Sequence, residues 1–296
     1  MLFASDIDST LVYPARTQPA TQPTEPVEVR DGRVITCASV ELRPALAELA
    51  AAGVALVPVT ARSWEQLTAL TPLRHPRLAI TAGGGRIWRD GRPVTGWDRV
   101  LTNSLGGAAT VEQARRELSR RLGPAAWVVG EQFIESRFFL LLAPHGELPA
   151  DAEALARDWL AGVGWTAYAH GRKLYCLPSG LRKDLALAWL VDTLGERLLA
   201  AAGDSEMDAS LLAMADVAFC PRGSSLAGSP LRPANARVTR ADCAAAGPEI
   251  VRAVAGLAGT AGTGGPPAAG AGLSRDRSRG RSPRPHAWRP VIRGRG

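Results

Sequence analysis

The chain has 296 residues, 46% of them hydrophobic, enough for one large or two modest domains with a sizeable core. Its formal charge is +7, but eight of the 35 basic residues and only one of the 28 acids lie beyond residue 256, so 1–256 holds 27 of each and is neutral. That argues against a nucleic-acid face spread over the body. The four scattered cysteines, with no CxxC pair, argue against a zinc site or a disulfide framework, and with no bilayer-length apolar run and no secretory signal a cytoplasmic protein without a membrane partner is expected.

In chain order, Leu2–Ser5 reads as a short buried strand, followed by a Pro/Thr/Gln loop over 14–26. Residues 27–36 carry Asp31-Gly32 between two β-prone runs, a hairpin signal. An Ala/Leu-rich helix over 40–52 ends at Gly53, and 54–60 reads as a buried strand. Ser63-Trp64-Glu65-Gln66 makes a capping box that opens the next helix. A strand over 78–81, a triple-glycine turn at 83–85 and a hairpin around Asp90-Gly91 follow. From about 97 to 173 the texture changes to helix, strand, helix, strand, an α+β unit inserted into an otherwise alternating chain. The alternation resumes with a helix over 184–194, a strand over 198–202, a helix over 208–214 and a strand at 217–219. Strands alternating with helices predict a parallel sheet covered on both faces, with ligands at the carboxyl ends of its strands. The predicted fold class is α/β: a Rossmann-like parallel core (1–96 plus 174–256), an inserted α+β cap (97–173) and a disordered Gly/Pro/Arg-rich tail (257–296), too polar and too like-charged to bury a core.

The chemistry-bearing residues fall at predicted strand ends. Asp6 and Asp8 follow the first strand, Thr60 closes the second, and Asp204, with Asp208 a helical turn on, follows the strand at 198–202. Lys183 opens the helix before that strand. Carboxylates from neighbouring strand ends suit a hard cation such as Mg²⁺, which takes oxygen ligands: Asp6 and Asp204 by their side chains and Asp8 by its carbonyl. With phosphate repulsion screened, one carboxylate can attack phosphorus. A second, two residues on and on the same side of the extended chain, can serve as acid and base. Thr60 and Lys183 offer a hydroxyl and a compact cation to phosphate oxygens.

The ordered set "DIDST" (6–10), Thr60 in "VPVTAR", Lys183 in "GLRKDLALAWL" and "GDSEMD" (203–208) resembles the haloacid dehalogenase superfamily of phosphatases. The insertion between Thr60 and Lys183 resembles that family's type-II cap, near the sucrose-phosphate and mannosyl-3-phosphoglycerate phosphatases. The resemblance implies Asp6 as nucleophile, Asp8 as general acid/base, Thr60 and Lys183 as the phosphate grip, and Asp6, Asp8, Asp204 and Asp208 around Mg²⁺, with Asp208 acting through water or from behind the ligands. The implied activity is hydrolysis of a small phosphorylated metabolite, plausibly a sugar phosphate, through an aspartyl-phosphate. The alternatives are a phosphomutase of the same superfamily, or a scaffold whose Arg-rich tail binds nucleic acid. Two departures stand out: Met207 where many relatives carry Asn, and Thr60-Ala61-Arg62 where they carry Thr-Gly-Arg. In the cap, Arg137 and Arg172 are the candidate substrate contacts, with His170 and Lys173 beside them, and the tryptophans at 127, 159 and 165 are cap core or a sugar-stacking face.

Overall fold

The computed structural model describes residues 1–122, 127–144 and 148–261. The first strand, β1 (Leu2–Ser5), is buried along its whole length. It is followed by β2 (Tyr13–Pro14), a hairpin of β3 (Thr24–Arg30) and β4 (Arg33–Ser39), helix α1 (Leu42–Ala51) and β5 (Ala55–Pro58). Then come α2 (Trp64–Thr68), β6 (Leu78–Thr81), β7 (Arg86–Arg89), β8 (Arg92–Pro93) and α3 (Thr95–Leu105). The inserted α+β layer consists of α4 (Val111–Leu122), β9 (Gly130–Ile134), β10 (Phe138–Leu142), α5 (Ala152–Ala161), β11 (Trp165–His170) and β12 (Lys173–Pro178). The chain returns through α6 (Lys183–Leu194), β13 (Leu198–Ala202), α7 (Ala209–Ala213), β14 (Val217–Arg222), β15 (Ala236–Asp242) and α8 (Cys243–Ala261).

Five strands form a parallel sheet in the order β15-β14-β13-β1-β5. Residues of β1 alternate between two apolar layers. Leu2 and Ala4 pack with Leu187, Leu211 and Leu212 of α6 and α7, and Phe3 packs with Leu42, Leu49 and Val254 of α1 and α8. Both faces are therefore covered, as a parallel sheet requires. From β1 the chain moves to β5 on one side and later to β13 on the other. That reversal puts the crevice at the carboxyl ends of β1 and β13. Ser5 stands opposite both Pro58 and Ala202, so three strands end level there.

The second sheet, antiparallel in the order β11-β12-β10-β9, is the cap predicted from the α+β texture. Side chains alternate across it. Trp165, Ala167, Leu174, Cys176, Phe139 and Leu141 are buried in the layer that α4 and α5 cover. Trp165 stacks at a tilt on Phe139, 5.7 Å between ring centroids, so it is cap core, and Trp127 and Trp159 pack against the same layer. The opposite face presents Thr166, Tyr168, His170, Lys173 and Tyr175.

Two stretches differ from expectation. The hairpin around Asp31-Gly32 starts at Thr24, inside the segment read as a loop, and its two turn residues both have positive φ, 50° and 72°, as its tight connection requires. At the other end, β15 and α8 follow residue 219, and α8 runs to Ala261, with Ala258 buried against the core, so the first residues of the expected tail are helical. The remainder of that tail, 262–296, lies outside the described residues. Among the described residues no helix is long and apolar enough to cross a membrane.

Candidate active site

Asp6 follows β1 directly, its amide donating to the Ala202 carbonyl of the neighbouring strand at 2.9 Å. The chain then closes one tight turn, with the amides of Leu11 and Val12 both 3.0 Å from the Ile7 carbonyl and Ser9 at φ 59°. This turn lifts Asp8 off the strand while Asp6 stays at its end. Thr60 lies two residues beyond β5, and its loop is fixed from below. Gly83 donates to the Thr60 carbonyl at 2.9 Å and Ala82 to the Arg62 carbonyl at 2.8 Å. The triple-glycine turn thus anchors the second motif.

Lys183 enters from the N-terminus of α6. Its ammonium lies 2.6 Å from Asp6 Oδ1 and 2.7 Å from Asp208 Oδ1, with all three residues buried. The second oxygen of Asp208 accepts from the amides of Asp204 and Ser205 and from the Ser205 hydroxyl, at 3.2, 3.1 and 3.0 Å. Asp208 is fully engaged and shapes the loop that presents Asp204. Gly203 is what allows this approach: a Cβ there would sit 2.4 Å from the Asp208 Cβ.

Asp6, Asp204 and Asp208 each bring an oxygen within 4.8 Å of the others. Burial raises the Asp6 carboxyl to about 7 despite Lys183, with Asp208 and Asp8 adding to the rise. Burial likewise pushes Asp204 well above the usual carboxylate range, helped by Asp6 and Asp208. Buried acids that repel one another to this degree are a fit for a bound divalent cation, which would reverse both effects. The oxygen-only donor set suits Mg²⁺.

Asp8 stands apart from that trio. Arg62 Nε and Nη2 bind its two oxygens at 2.8 and 2.7 Å, and Arg62 Nη1 reaches Glu28 of β3 at 3.0 Å. Burial alone would raise Asp8, but the charge and hydrogen bonds of Arg62 outweigh it and hold the carboxyl below its ordinary value. Asp208, expected to act through water or from behind the ligands, brings an oxygen within 4.8 Å of those of Asp6 and Asp204, while the Asp8 side chain faces a guanidinium. Sequence reasoning missed Arg62 and Glu28. The signal was available for the first, since Arg62 lies two residues past Thr60 in the same motif. Nothing local pointed to Glu28, which arrives from a hairpin 34 residues away.

The cap closes over this crevice. His170 Nε2 comes to 3.7 Å from Asp204 Oδ2. Thr166, Tyr168 and Leu177 wall a cavity of about 310 Å³ with Lys183 and Met207 on the core side. Met207 therefore lines the cavity toward the cap and is not part of the carboxylate trio. Of the expected substrate contacts, Arg137 is held by Asp98 at 3.2 Å, and Arg172, in the β11–β12 turn, makes no ion pair among the described residues. On the site face the cap presents the Lys173 ammonium and the His170 imidazole, whose proton affinity burial holds below its ordinary value.

No protein-family profile matches the sequence, and no curated protein matches it. Among solved structures the chain is similar to the sucrose-phosphatase of Synechocystis, solved with sucrose and phosphate, at TM-score 0.57 and 16% identity over 87% of this chain and 97% of that one. It is similar to a trehalose-6-phosphate phosphatase related protein at TM-score 0.53 and 18% identity, over 88% and 100% of the two chains. A phosphatase of the haloalkanoate superfamily from Bacteroides thetaiotaomicron gives 0.51 and 15%, over 86% and 94%. In fold, then, the chain is an α/β protein of the haloacid dehalogenase type, a parallel core carrying an α+β cap. At these identities the likeness establishes that fold, cap included, and the site residues rest on the geometry above.

Proposed function

We propose that this protein is a Mg²⁺-dependent phosphatase that hydrolyses a small phosphomonoester through a phosphorylated Asp6. The observation that carries the reading is the convergence of Asp6, Lys183, Asp208 and Asp204, 202 positions apart at the extremes, within hydrogen-bonding or ligand distance at one rim of the sheet. The fold shared with phosphatases supports it, and the sucrose-phosphatase and trehalose-6-phosphate phosphatase related neighbours favour a sugar phosphate as substrate.

Asp6 and Asp204, with Asp208 beside them, would hold the ion, and the Asp8 carbonyl is the remaining candidate ligand. Once bound, it would offset the charge of the phosphate and keep these carboxylates ionised. Lys183 holds Asp6 by Oδ1, and the other oxygen carries no hydrogen bond from a described residue, so Asp6 is oriented with one oxygen free to attack. Thr60, buried two residues past β5 with its hydroxyl oxygen accepting from the Arg62 amide at 3.1 Å, would offer its hydroxyl proton to a phosphate oxygen. Arg62 fixes Asp8 in one orientation and favours its ionised form, the state required of a base. A phosphate dianion arriving beside it raises its proton affinity, which prepares the acid for the leaving oxygen. The cap lies over the crevice, His170 coming to 3.7 Å from Asp204, and the charges buried beneath it are worth more than in bulk solvent.

Phosphate release from a panel of phosphomonoesters with Mg²⁺ tests the reading, comparing the unaltered protein with Asp6→Asn. Turnover that disappears in the variant supports it. Equal turnover in both removes Asp6 as the nucleophile.

A further inference from the structure

Among the described residues Lys173 is the lysine or arginine that the cap strands present on the site face, and the chemistry above does not use it. In the β11–β12 hairpin its register partner is His170, which reaches Asp204, and the next residue on the same face is Tyr175. The Lys173 ammonium is partly buried and lies 5.9 Å from the Tyr175 ring centroid. It makes no ion pair with a described residue. Tyr175 acts on it most, through its hydroxyl, and the carboxylate that acts on it is Asp8, yet both Asp8 oxygens are already taken by Arg62. A partly desolvated ammonium partnered by a phenol hydroxyl and a ring face forgoes most of what a carboxylate or phosphate partner supplies.

Its place relative to the reacting groups tells which half of a substrate it meets. Asp6 and Lys183 mark the phosphoryl end of the crevice, and Asp8 marks the leaving oxygen. Lys173, paired in register with the His170 that reaches Asp204, comes from the cap within the electrostatic reach of Asp8, which sets it toward the alcohol half of the ester. We propose, resting on the phosphatase reading, that Lys173 sets specificity by pairing with a second oxyanion on that alcohol, a carboxylate or another phosphate placed a few bonds from the ester oxygen. Tyr175 and Tyr168 flank it with hydroxyls for the polar remainder, and the cavity of about 310 Å³ beside Tyr168 gives room for a body of sugar size. An uncharged alcohol would leave the ammonium without an anionic partner, which is how such a site rejects a neutral analogue.

The experiment measures kcat/KM and, by calorimetry with the Asp6→Asn protein, binding for two matched pairs: 3-phosphoglycerate against glycerol 3-phosphate, and glucose 1,6-bisphosphate against glucose 6-phosphate. The first pair isolates a carboxylate and the second a phosphate. The charged member of at least one pair is expected to be favoured by about tenfold or more. Lys173→Met should bring that ratio close to one, and Lys173→Arg should largely keep it. Equal treatment of both members in both pairs, or a Lys173→Met variant that loses both members in proportion, overturns the inference. Charge-dependent binding with no turnover of any of the four compounds, nor of p-nitrophenyl phosphate, would instead sink the phosphatase reading and leave the anion subsite standing.

Discussion

Asp6 and Asp8 stand two residues apart in the sequence and are held by opposite means. Asp6 is gripped at one oxygen by a lysine that is itself clamped by Asp208, whereas Asp8 is gripped at both by an arginine that shares Glu28. Each arrangement makes a separate prediction. Lys183→Met removes the cation that orients the nucleophile and leaves Asp208 buried and unpaired, so kcat is expected to fall by about a hundredfold or more in steady-state assays. Arg62→Gln removes the charge that holds the Asp8 carboxyl low, so its proton affinity rises. The alkaline limb of the kcat profile, which reports loss of the acid's proton in the enzyme–substrate complex, should move to higher pH. A limb that moves down or stays in place would separate Asp8 from the acid role. At this scale the sequence displayed the residue types and order of the trio, because strand ends advertise their acids. It concealed the Arg62–Glu28 pairing, since a hairpin returning from residues 24–39 has no local mark that its glutamate will face a distant loop.

Elements position these residues by abutting where side chains are absent. The Ser63 capping box was legible in four letters and forms as expected, the Ser63 hydroxyl accepting from the Gln66 amide and the Gln66 side chain accepting from the Ser63 amide. The alternation in Trp165–His170 and Lys173–Pro178 was likewise legible as strand. Which face met the core was not, because both faces of that sheet are occupied, one by α4 and α5 and one by the site. The last strand and helix, β15 and α8, went unread because Ala/Gly/Pro-rich sequence gives a weak periodic signal, and a proline at 248 inside the helix hides it further. Two close approaches carry the element-scale prediction. A Cβ at Gly203 would press on Asp208, and one at Gly180 would lie 2.0 Å from the Ser104 carbonyl oxygen, where the two strands of chain linking core and cap cross. Gly203→Ala and Gly180→Ala are each expected to cost about 1–3 kcal/mol in denaturant unfolding. The first should also weaken divalent-ion binding. Wild-type stability in both variants would show that these backbones can move apart freely.

For the molecule as a whole, the cluster of raised acids links folding to pH and to metal. In the absence of an ion, Asp6 with its carboxyl near 7 and Asp204 well above its ordinary value bind more protons folded than unfolded. Both contributions are complete below the unfolded value near 3.8; that of Asp6 is lost as pH rises through about 7, and that of Asp204 is lost in the same direction. Asp8, held low, works in the opposite sense over a more acid window. Calorimetry with a chelator is therefore expected to show Tm falling by roughly 5 °C or more between pH 5 and pH 7.5. Added Mg²⁺ should restore more of it at pH 7.5 than at pH 5, because protons compete with the ion at the lower pH. A chelated protein that gains stability across that interval would mean that these carboxylates are ionised without help.

The proposed chemistry requires Asp6 to become the phosphoryl carrier, and an acid-quenched turnover reaction read by peptide mass spectrometry tests that directly. With Mg²⁺ and a turned-over phosphomonoester, one phosphoryl group is expected on the peptide containing Asp6, labile to base and absent from the Asp6→Asn protein. A phosphoryl group on any other residue, or sustained turnover with Asp6 never labelled, would contradict it.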